Sequence, residues 1–145
     1  MLVRDILRKK GHHVVTIESH RTIHEAIQLL VANNIGALLV LRPDQQLVGI
    51  FTERDILREV AERADQLTET PVGDVMTRNV IIGVPEDTVE YVMGIMTQNR
   101  IRHLPVMDGD ELVGIVSIGD VVNTHLHQAQ FENRLLRDYI HGVTH

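Results

Sequence analysis

The chain has 145 residues with no Cys, no Trp, two Phe and two Tyr, and a formal net charge of −6. That length suits one shared interior, burying about 68–70% of the surface the unfolded chain exposes. An acidic balance with few aromatic rings excludes a general nucleic-acid binder, which would show a basic face or a stacking platform. The lack of Cys excludes disulfides and thiol chemistry. With no run of roughly 18 apolar residues and no secretory leader, the expected compartment is the cytoplasm.

Met1 to Lys10 reads as a short helix, with Leu2, Ile6 and Leu7 on one side and Arg8, Lys9 and Lys10 complementing the dipole at its end. Gly11 stops it. Val14 to Ile17 is a short extended segment. Thr22 with Glu25 three residues on has capping-box spacing, and it opens a helix with Ile23, Ala26, Ile27, Leu30 and Val31 at helical intervals, ended by Asn33 and Asn34. Gly36 to Leu41 is short and apolar, as a buried strand would be. Arg42 to Gln46 is a turn, Leu47 to Phe51 a returning strand, and a helix from Glu53 is expected to bury Ile56, Leu57, Val60, Ala61 and Ala64.

Gln66 to Pro71 is a polar joint. The order strand, helix, strand, strand, helix then repeats: an opening segment Val72 to Met76, apolar Val80 to Val84, and a helix expected to be capped by Asp87 with Glu90 three on. Its buried stripe is Val89, Val92, Met93 and Met96. His103 to Met107 and Leu112 to Val116 are strands joined by Asp108 to Glu111, a hairpin signal. A long helical tail follows Asp120. Its Phe131, Leu135, Leu136, Tyr139 and Ile140 share one face, which is expected to close over the core or meet a second subunit. The division is thus 1–65, a linker at 66–71, 72–124, and a helical tail at 125–145.

The second half restates the first. Gly49 to Asp55, GIFTERD, returns 65 residues later as Gly114 to Asp120, GIVSIGD, and Thr22, Asn33, Ile35 and Val40 meet Thr88, Asn99, Ile101 and Val106 at a spacing of 66. Val3 and Asp5 meet Val72 and Asp74 at 69. Thr52 with Asp55, and Ser117 with Asp120, are each a hydroxyl followed by an acid three residues on, which is near capping-box spacing and needs no ligand to explain it. A strand ending in Gly-x-x-Ser/Thr before a helix also sets a hydroxyl and backbone N–H groups at the positive end of a dipole, where phosphate binds, with an acid one turn along for a ribose diol. Ser117 is no nucleophile elbow, because Ile115 stands where that motif needs Gly.

These paired motifs, with VRDIL and VGDVMT before them and IGALLV and IRHLPV between, resemble the cystathionine-β-synthase (CBS) domain in tandem, or Bateman module, from Val3 to about Thr124. The resemblance implies an α/β fold of two β-α-β-β-α repeats about a pseudo-twofold axis, with adenine nucleotides in clefts that both repeats complete. It implies that Asp55 and Asp120 accept from ribose and that Thr52 and Ser117 face phosphate. One cleft would combine Thr52, Arg54 and Asp55 with Thr77, Val80, Ile81 and Ile101; the other would combine Ser117 and Asp120 with Val14, Val15, Ile35 and Gly36. Arg102 or His103 would contact phosphate. The halves differ, since Gly119 replaces Arg54 and the Lys9–Gly11 region has no hydroxyl to match Thr77.

The nine His residues show no ligand spacing, so no metal site is expected. No base and nucleophile stand together, so catalysis is not expected. The expected function is a non-catalytic regulatory module that binds AMP, ADP, ATP or an NAD-type ligand for energy or redox sensing and signals to a regulated protein, as a homodimer. The alternative is a structural or dimerisation module with unoccupied clefts.

Overall fold

The computed structural model describes residues 1–140. In chain order the elements are α1 (Val3–Lys10), β1 (Thr16–Glu18), α2 (Ile23–Asn33), β2 (Ala37–Leu41), β3 (Leu47–Thr52), α3 (Glu53–Arg63), α4 (Val89–Asn99), β4 (His103–Asp108), β5 (Glu111–Ser117) and α5 (Ile118–Ile140). They form two compact units: His13–Ile81, and Met1–His12 with the chain from Ile82 onward. Packing therefore divides the chain differently from the sequence repeat. The helix before the first repeat packs with the second repeat, and the Val72–Met76 segment packs with the first.

In the His13–Ile81 unit the sheet order is β1-β2-β3, with β1 parallel and β3 antiparallel to β2. Every residue of β2 is buried, as a nearly all-apolar run on a central strand should be. Thr22 caps α2 by accepting the Glu25 N–H at 3.1 Å, and Asn34 closes that helix in the left-handed region at φ 50°, a conformation Asn tolerates. The core joins Ile17, Ile23, Ala26, Leu30, Leu38, Val40 and Phe51 to Val72, Val75 and Met76. The last three belong to a short 3-10 turn, Val72–Asp74, and the residues after it. This segment is pinned by Val72 N–H on the Arg21 carbonyl at 2.7 Å and Gly73 N–H on the Ser19 carbonyl at 2.9 Å.

The other unit repeats this core position for position. Val3, Ile6 and Leu7 of α1 stand for Val72, Val75 and Met76; Val89, Val92 and Met96 of α4 stand for Ile23, Ala26 and Leu30; and Leu104, Val106 and Val116 stand for Leu38, Val40 and Phe51, all buried. The backbone pinning recurs as Val3 N–H on the Asp87 carbonyl at 2.9 Å and Arg4 N–H on the Pro85 carbonyl at 3.0 Å. Both hairpins shift register at the same place, after Val40 and after Val106.

Three local expectations change. Val80–Val84 forms no strand: Gly83 alone bridges Val106, so β4 and β5 are a two-stranded sheet. The Val84 N–H goes to the Asp87 carboxylate at 2.9 Å, ending the ladder. Because Asp87 is used there, the cap of α4 is Thr88, which accepts the Tyr91 N–H at 3.1 Å. In α3 the expected inner face is the outer one. Asp55 and Glu59 are buried, Ile56 is only partly buried, Leu57 and Val60 are 73% and 44% exposed, and Ala61 and Ala64 are exposed. The cap sets this rotation: once Asp55 turns in to meet the Thr52 N–H, Glu59, one turn on, follows it inward.

The α5 face of Phe131, Leu135, Leu136, Tyr139 and Ile140 does not close over the core, since each of these is exposed. Residues 141–145 of the expected tail lie outside the described residues. Among the described residues no helix is long and apolar enough to cross a membrane.

Space around two glycines gives opposite expectations. A Cβ on Gly73 would lie 2.8 Å from the Ser19 carbonyl oxygen, whereas one on Gly94, within α4, would meet nothing within 4 Å. Gly73→Ala should cost about 1–3 kcal/mol by overpacking. Gly94→Ala should add about 0.4–1 kcal/mol by narrowing the unfolded ensemble. Thermal melts should therefore move in opposite directions, at roughly 2–4 °C per kcal/mol.

Candidate functional site

The two heptapeptides occupy the same place in their units: the last strand of a hairpin, running directly into a helix. In the His13–Ile81 unit, Asp55 Oδ2 accepts the Thr52 N–H at 2.9 Å and the Thr52 hydroxyl at 3.3 Å. Asp55 Oδ1 accepts Arg58 Nη2 at 2.9 Å and the Thr77 hydroxyl at 3.5 Å. Thr77 is held by a two-way backbone pairing with Ile50, at 2.9 and 3.0 Å. Glu59 joins this group, with Arg58 Nε 3.4 Å from Oε1 and Arg63 Nε 2.6 Å from Oε2, the latter close enough for an ion pair but not aligned as a hydrogen bond. Burial works against the Arg58 charge, but Asp55 and Glu59 outweigh it and raise the guanidinium above its ordinary value.

In the other unit Ser117 and Asp120 make a reciprocal capping box, Ser117 N–H to Asp120 Oδ2 at 2.8 Å and Asp120 N–H to Ser117 Oγ at 3.1 Å. Lys10 Nζ lies 2.6 Å from the same Oδ2 and donates to the Ile115 carbonyl at 2.9 Å. His12 places Nδ1 2.7 Å from the Val113 carbonyl. Burial pushes the Asp120 carboxyl up, but the bonds from Lys10 and Ser117 prevail and hold it below its ordinary value.

The opening glycine of each heptapeptide has a packing role. A Cβ on Gly49 would lie 2.3 Å from Met76 Sδ, and one on Gly114 2.6 Å from Leu7 Cδ2. Each glycine thus lets the preceding segment of its unit press onto the strand. The N–H of the first helical residue is also taken, Glu53 by the Gly36 carbonyl at 3.2 Å and Ile118 by the Arg102 carbonyl at 2.8 Å. The helix starts therefore offer fewer free N–H groups than the heptapeptide alone suggests.

The structure brings Thr52, Asp55 and Thr77 together in one unit, with Arg54 exposed on the first turn of α3. Val80 and Ile81 follow Thr77 in the same unit, both partly buried. Val14, Val15, Ile35 and Gly36 also lie there, Val14 and Val15 just ahead of β1 and not in it. Ile101, Arg102, His103, Ser117 and Asp120 lie in the other unit. His103 sits directly opposite Ser117 in the β4–β5 register, while Arg102 precedes the strand and is exposed. Sequence reasoning missed Lys10, Arg58 and Glu59. Arg58 was findable from its spacing three residues after Asp55; Lys10 was masked by its place in a cationic helix end.

A cleft of about 540 Å³ opens between β1 and α2, lined by Thr16, Glu18, Arg21, Glu25, Gln28 and Leu29 among others, and none of the heptapeptide residues borders it. At a spacing of 66, the positions matching Thr16, Glu18, Glu25 and Gln28 are Ile82, Val84, Tyr91 and Gly94. Its polar lining is therefore not a property of the repeat. No three His, Asp or Glu side chains among the described residues are grouped to hold a metal ion.

Two helix starts, each closed by a strand-end hydroxyl and an inward acid, define a duplicated α/β module. The family model for the CBS domain matches residues 3–62 and 72–126. The chain belongs to the CBS-domain family as a tandem pair. It is 38% identical over 148 residues to the mitochondrial CBS domain-containing protein CBSX3 of Arabidopsis thaliana, covering 97% of this chain and 72% of that protein. The crystal structure of the CBS-domain containing protein ATU1752 from Agrobacterium tumefaciens is similar with a TM-score of 0.83 and 41% identity, over 86% of this chain and 99% of that one. The CBS domain pair of protein MJ0100, solved with 5′-methylthioadenosine and S-adenosyl-L-methionine, is similar with a TM-score of 0.78 and 31% identity, over 88% and 98%.

The lowered Asp120 pKa has a pH consequence. A carboxyl whose folded value lies below its unfolded value of about 3.9 stabilises the fold above that pH, and the stabilisation is lost as pH falls through the folded value. Asp120→Asn should therefore be less stable than the wild type at pH 7 by urea denaturation, with the gap shrinking towards pH 3. A gap independent of pH would show that the charge of Asp120 contributes nothing.

Proposed function

We propose that this chain is a non-catalytic regulatory module that binds an adenine nucleotide, AMP, ADP, ATP or an NAD-type ligand, and passes its level to a regulated protein. The observation that carries the reading is the duplicated hydroxyl–acid box at a strand-to-helix junction, in a chain similar to a CBS pair that holds two adenosine compounds. Asp55 and Asp120 are the ribose acceptors and Thr52 and Ser117 the phosphate-side hydroxyls. His103, in register with Ser117, is favoured over Arg102 as the basic contact there. Arg54, free on the first turn of α3, adds a cation on the Thr52 side. The expected compartment is the cytoplasm.

The capping boxes close without any ligand, so the test must separate ligand binding from helix capping. At a ligand concentration 100 times the dissociation constant, binding stabilises by about 2.7 kcal/mol, or roughly 5–10 °C in the melting temperature. Asp55→Ala and Asp120→Ala should each melt lower, as lost caps do, and each should also lose part of the shift produced by AMP, ADP, ATP or NAD. Mutants that melt lower yet keep the full shift would leave these acids as caps only.

The alternative, a dimerisation module with unoccupied clefts, draws on the exposed apolar residues of α3 and α5, Leu57 and Val60 with Phe131, Leu136, Tyr139 and Ile140. Exposed apolar surface of this kind marks an interface, and a homodimer fits both readings. Light scattering should give twice the 16.4 kDa chain mass at micromolar concentration, and Leu57→Asp with Leu136→Asp should shift it to monomer. A wild-type monomer would refute the dimer.

A further inference from the structure

The helix after the second heptapeptide is much longer than its counterpart after the first: α5 has 23 residues and α3 has 11. The CBS-domain match ends at residue 126, while α5 continues to Ile140. The family fold therefore does not account for the second half of α5. This helix carries two stripes, each with the alternating 3 and 4 spacing of a packing seam. Val121, Thr124 and Gln128 form one, which faces its own unit: Val121 is buried and the other two are partly buried. Leu126, Ala129, Asn133, Leu136 and Ile140 form the other, and all five are exposed, with Leu126, Leu136 and Ile140 at 50%, 62% and 75%.

The exposed stripe has the pattern of a coiled-coil seam. Leu126, Asn133 and Ile140 take the a positions, and Ala129 and Leu136 the d positions. A single Asn at an a position fixes two strands in one register, because its amide is satisfied by the same Asn of the facing strand and not by an apolar residue. Glu132 then falls at g and Arg137 at the following e, the two positions that face each other between parallel strands. Both are exposed. They are too far apart in sequence for the i,i+3 and i,i+4 pairing that operates within one helix. An antiparallel pair sets g against g and e against e, where Glu132 and Arg137 never meet. The charges are thus complementary to a second copy of the same helix, and in the parallel orientation alone.

Resting on the homodimer proposed above, whose geometry that reading leaves open, we infer that α5 pairs in parallel and in register with α5 of a second copy. Asn133 meets Asn133 across the seam, flanked by like-with-like contacts of the four apolar residues. Glu132 of each copy pairs with Arg137 of the other, so the two-fold axis makes the ion pair twice. The pairing does not have to nucleate the helix, since Val121 already anchors its first turn in its own unit. Both copies then stand at the same end of the coil, so that one regulated protein meets two equivalent modules.

The chain has no Cys, so single cysteines report the pairing without background. Leu126→Cys and Ile140→Cys, each oxidised in the full chain at micromolar concentration, should both give disulfide-linked dimers on a non-reducing gel. Arg134→Cys, at an outward b position, should not. A disulfide needs Cα atoms within about 7 Å. Leu126 and Ile140 lie about 21 Å apart along the helix, so an antiparallel pair cannot bring both against their own copies. Glu132→Arg should weaken self-association about tenfold, because two attractive pairs become repulsive at once, and Glu132→Arg with Arg137→Glu should restore it. A protein that is dimeric by light scattering but cross-links at only one of the two seam positions, at neither, or equally at Arg134→Cys would overturn the parallel pairing, as would a charge swap that restores nothing. If the wild type is a monomer, the homodimer reading fails first, and this pairing with it.

Discussion

The N–H of Thr52 donates to Asp55 over 2.9 Å, and the N–H of Ser117 donates to Asp120 over 2.8 Å. Each bond joins the last residue of a strand to the first turn of a helix and satisfies a donor that has no partner within the helix itself. The geometry leaves little freedom: the acid must face inward, the helix rotation follows, and every later residue takes its side from that choice. In α3 this draws Glu59 inside, to be met by Arg58 and Arg63, and sends Leu57 and Val60 out. A helix whose apolar residues point to water is locally unfavourable. The cap and the ion pairs of the buried carboxylates override hydrophobic spacing here, which leaves the apolar residues for another surface.

Duplication supplies an internal control on which residues the fold needs. The core positions recur as apolar pairs: Val72 with Val3, Met76 with Leu7, Leu38 with Leu104, Val40 with Val106, Phe51 with Val116. Gly49 and Gly114 recur because Met76 and Leu7 press against them. Where the copies differ, the fold tolerates both versions. Arg58 against Asn123 and Arg54 against Gly119 fall around the motif acids and change charge, and Asp120 is met by Lys10 where Asp55 is met by Thr77. These differences gather where a ligand is proposed.

Much of the fold was legible because its signals are local. The cap at Thr22, the turn at Arg42–Gln46, the apolar run of β2 and the hairpin at Asp108–Glu111 each depend on a few neighbouring residues. The repeat added register over a longer range. What could not be read was competition between neighbours for one donor. Asp87 looks like a cap for α4, but the Val84 N–H takes its carboxylate, Thr88 caps instead, and the expected strand at Val80–Val84 shrinks to one bridge at Gly83. Likewise, the pairing of α1 with the second repeat rests on contacts more than seventy residues apart, such as Leu7 against Gly114.

The capping acids and hydroxyls were legible in the sequence, and the cations that touch those acids were not, for a physical reason. An acid that caps a helix must sit within three residues of the N–H it accepts, so its spacing is written in the sequence. A cation that neutralises the acid can come from any element that passes within reach of a long flexible side chain. Arg58 comes from one turn further along the same helix, while Lys10 comes from 110 residues earlier. Two equivalent carboxylates are thus neutralised by unrelated routes, one local and one distant. A long-range cation is the more easily changed without disturbing the cap, because the acid keeps its backbone N–H partner whichever residue supplies the charge. The cap can therefore stay constant as the charge around it varies, and one strand-to-helix junction can serve two copies with different electrostatics.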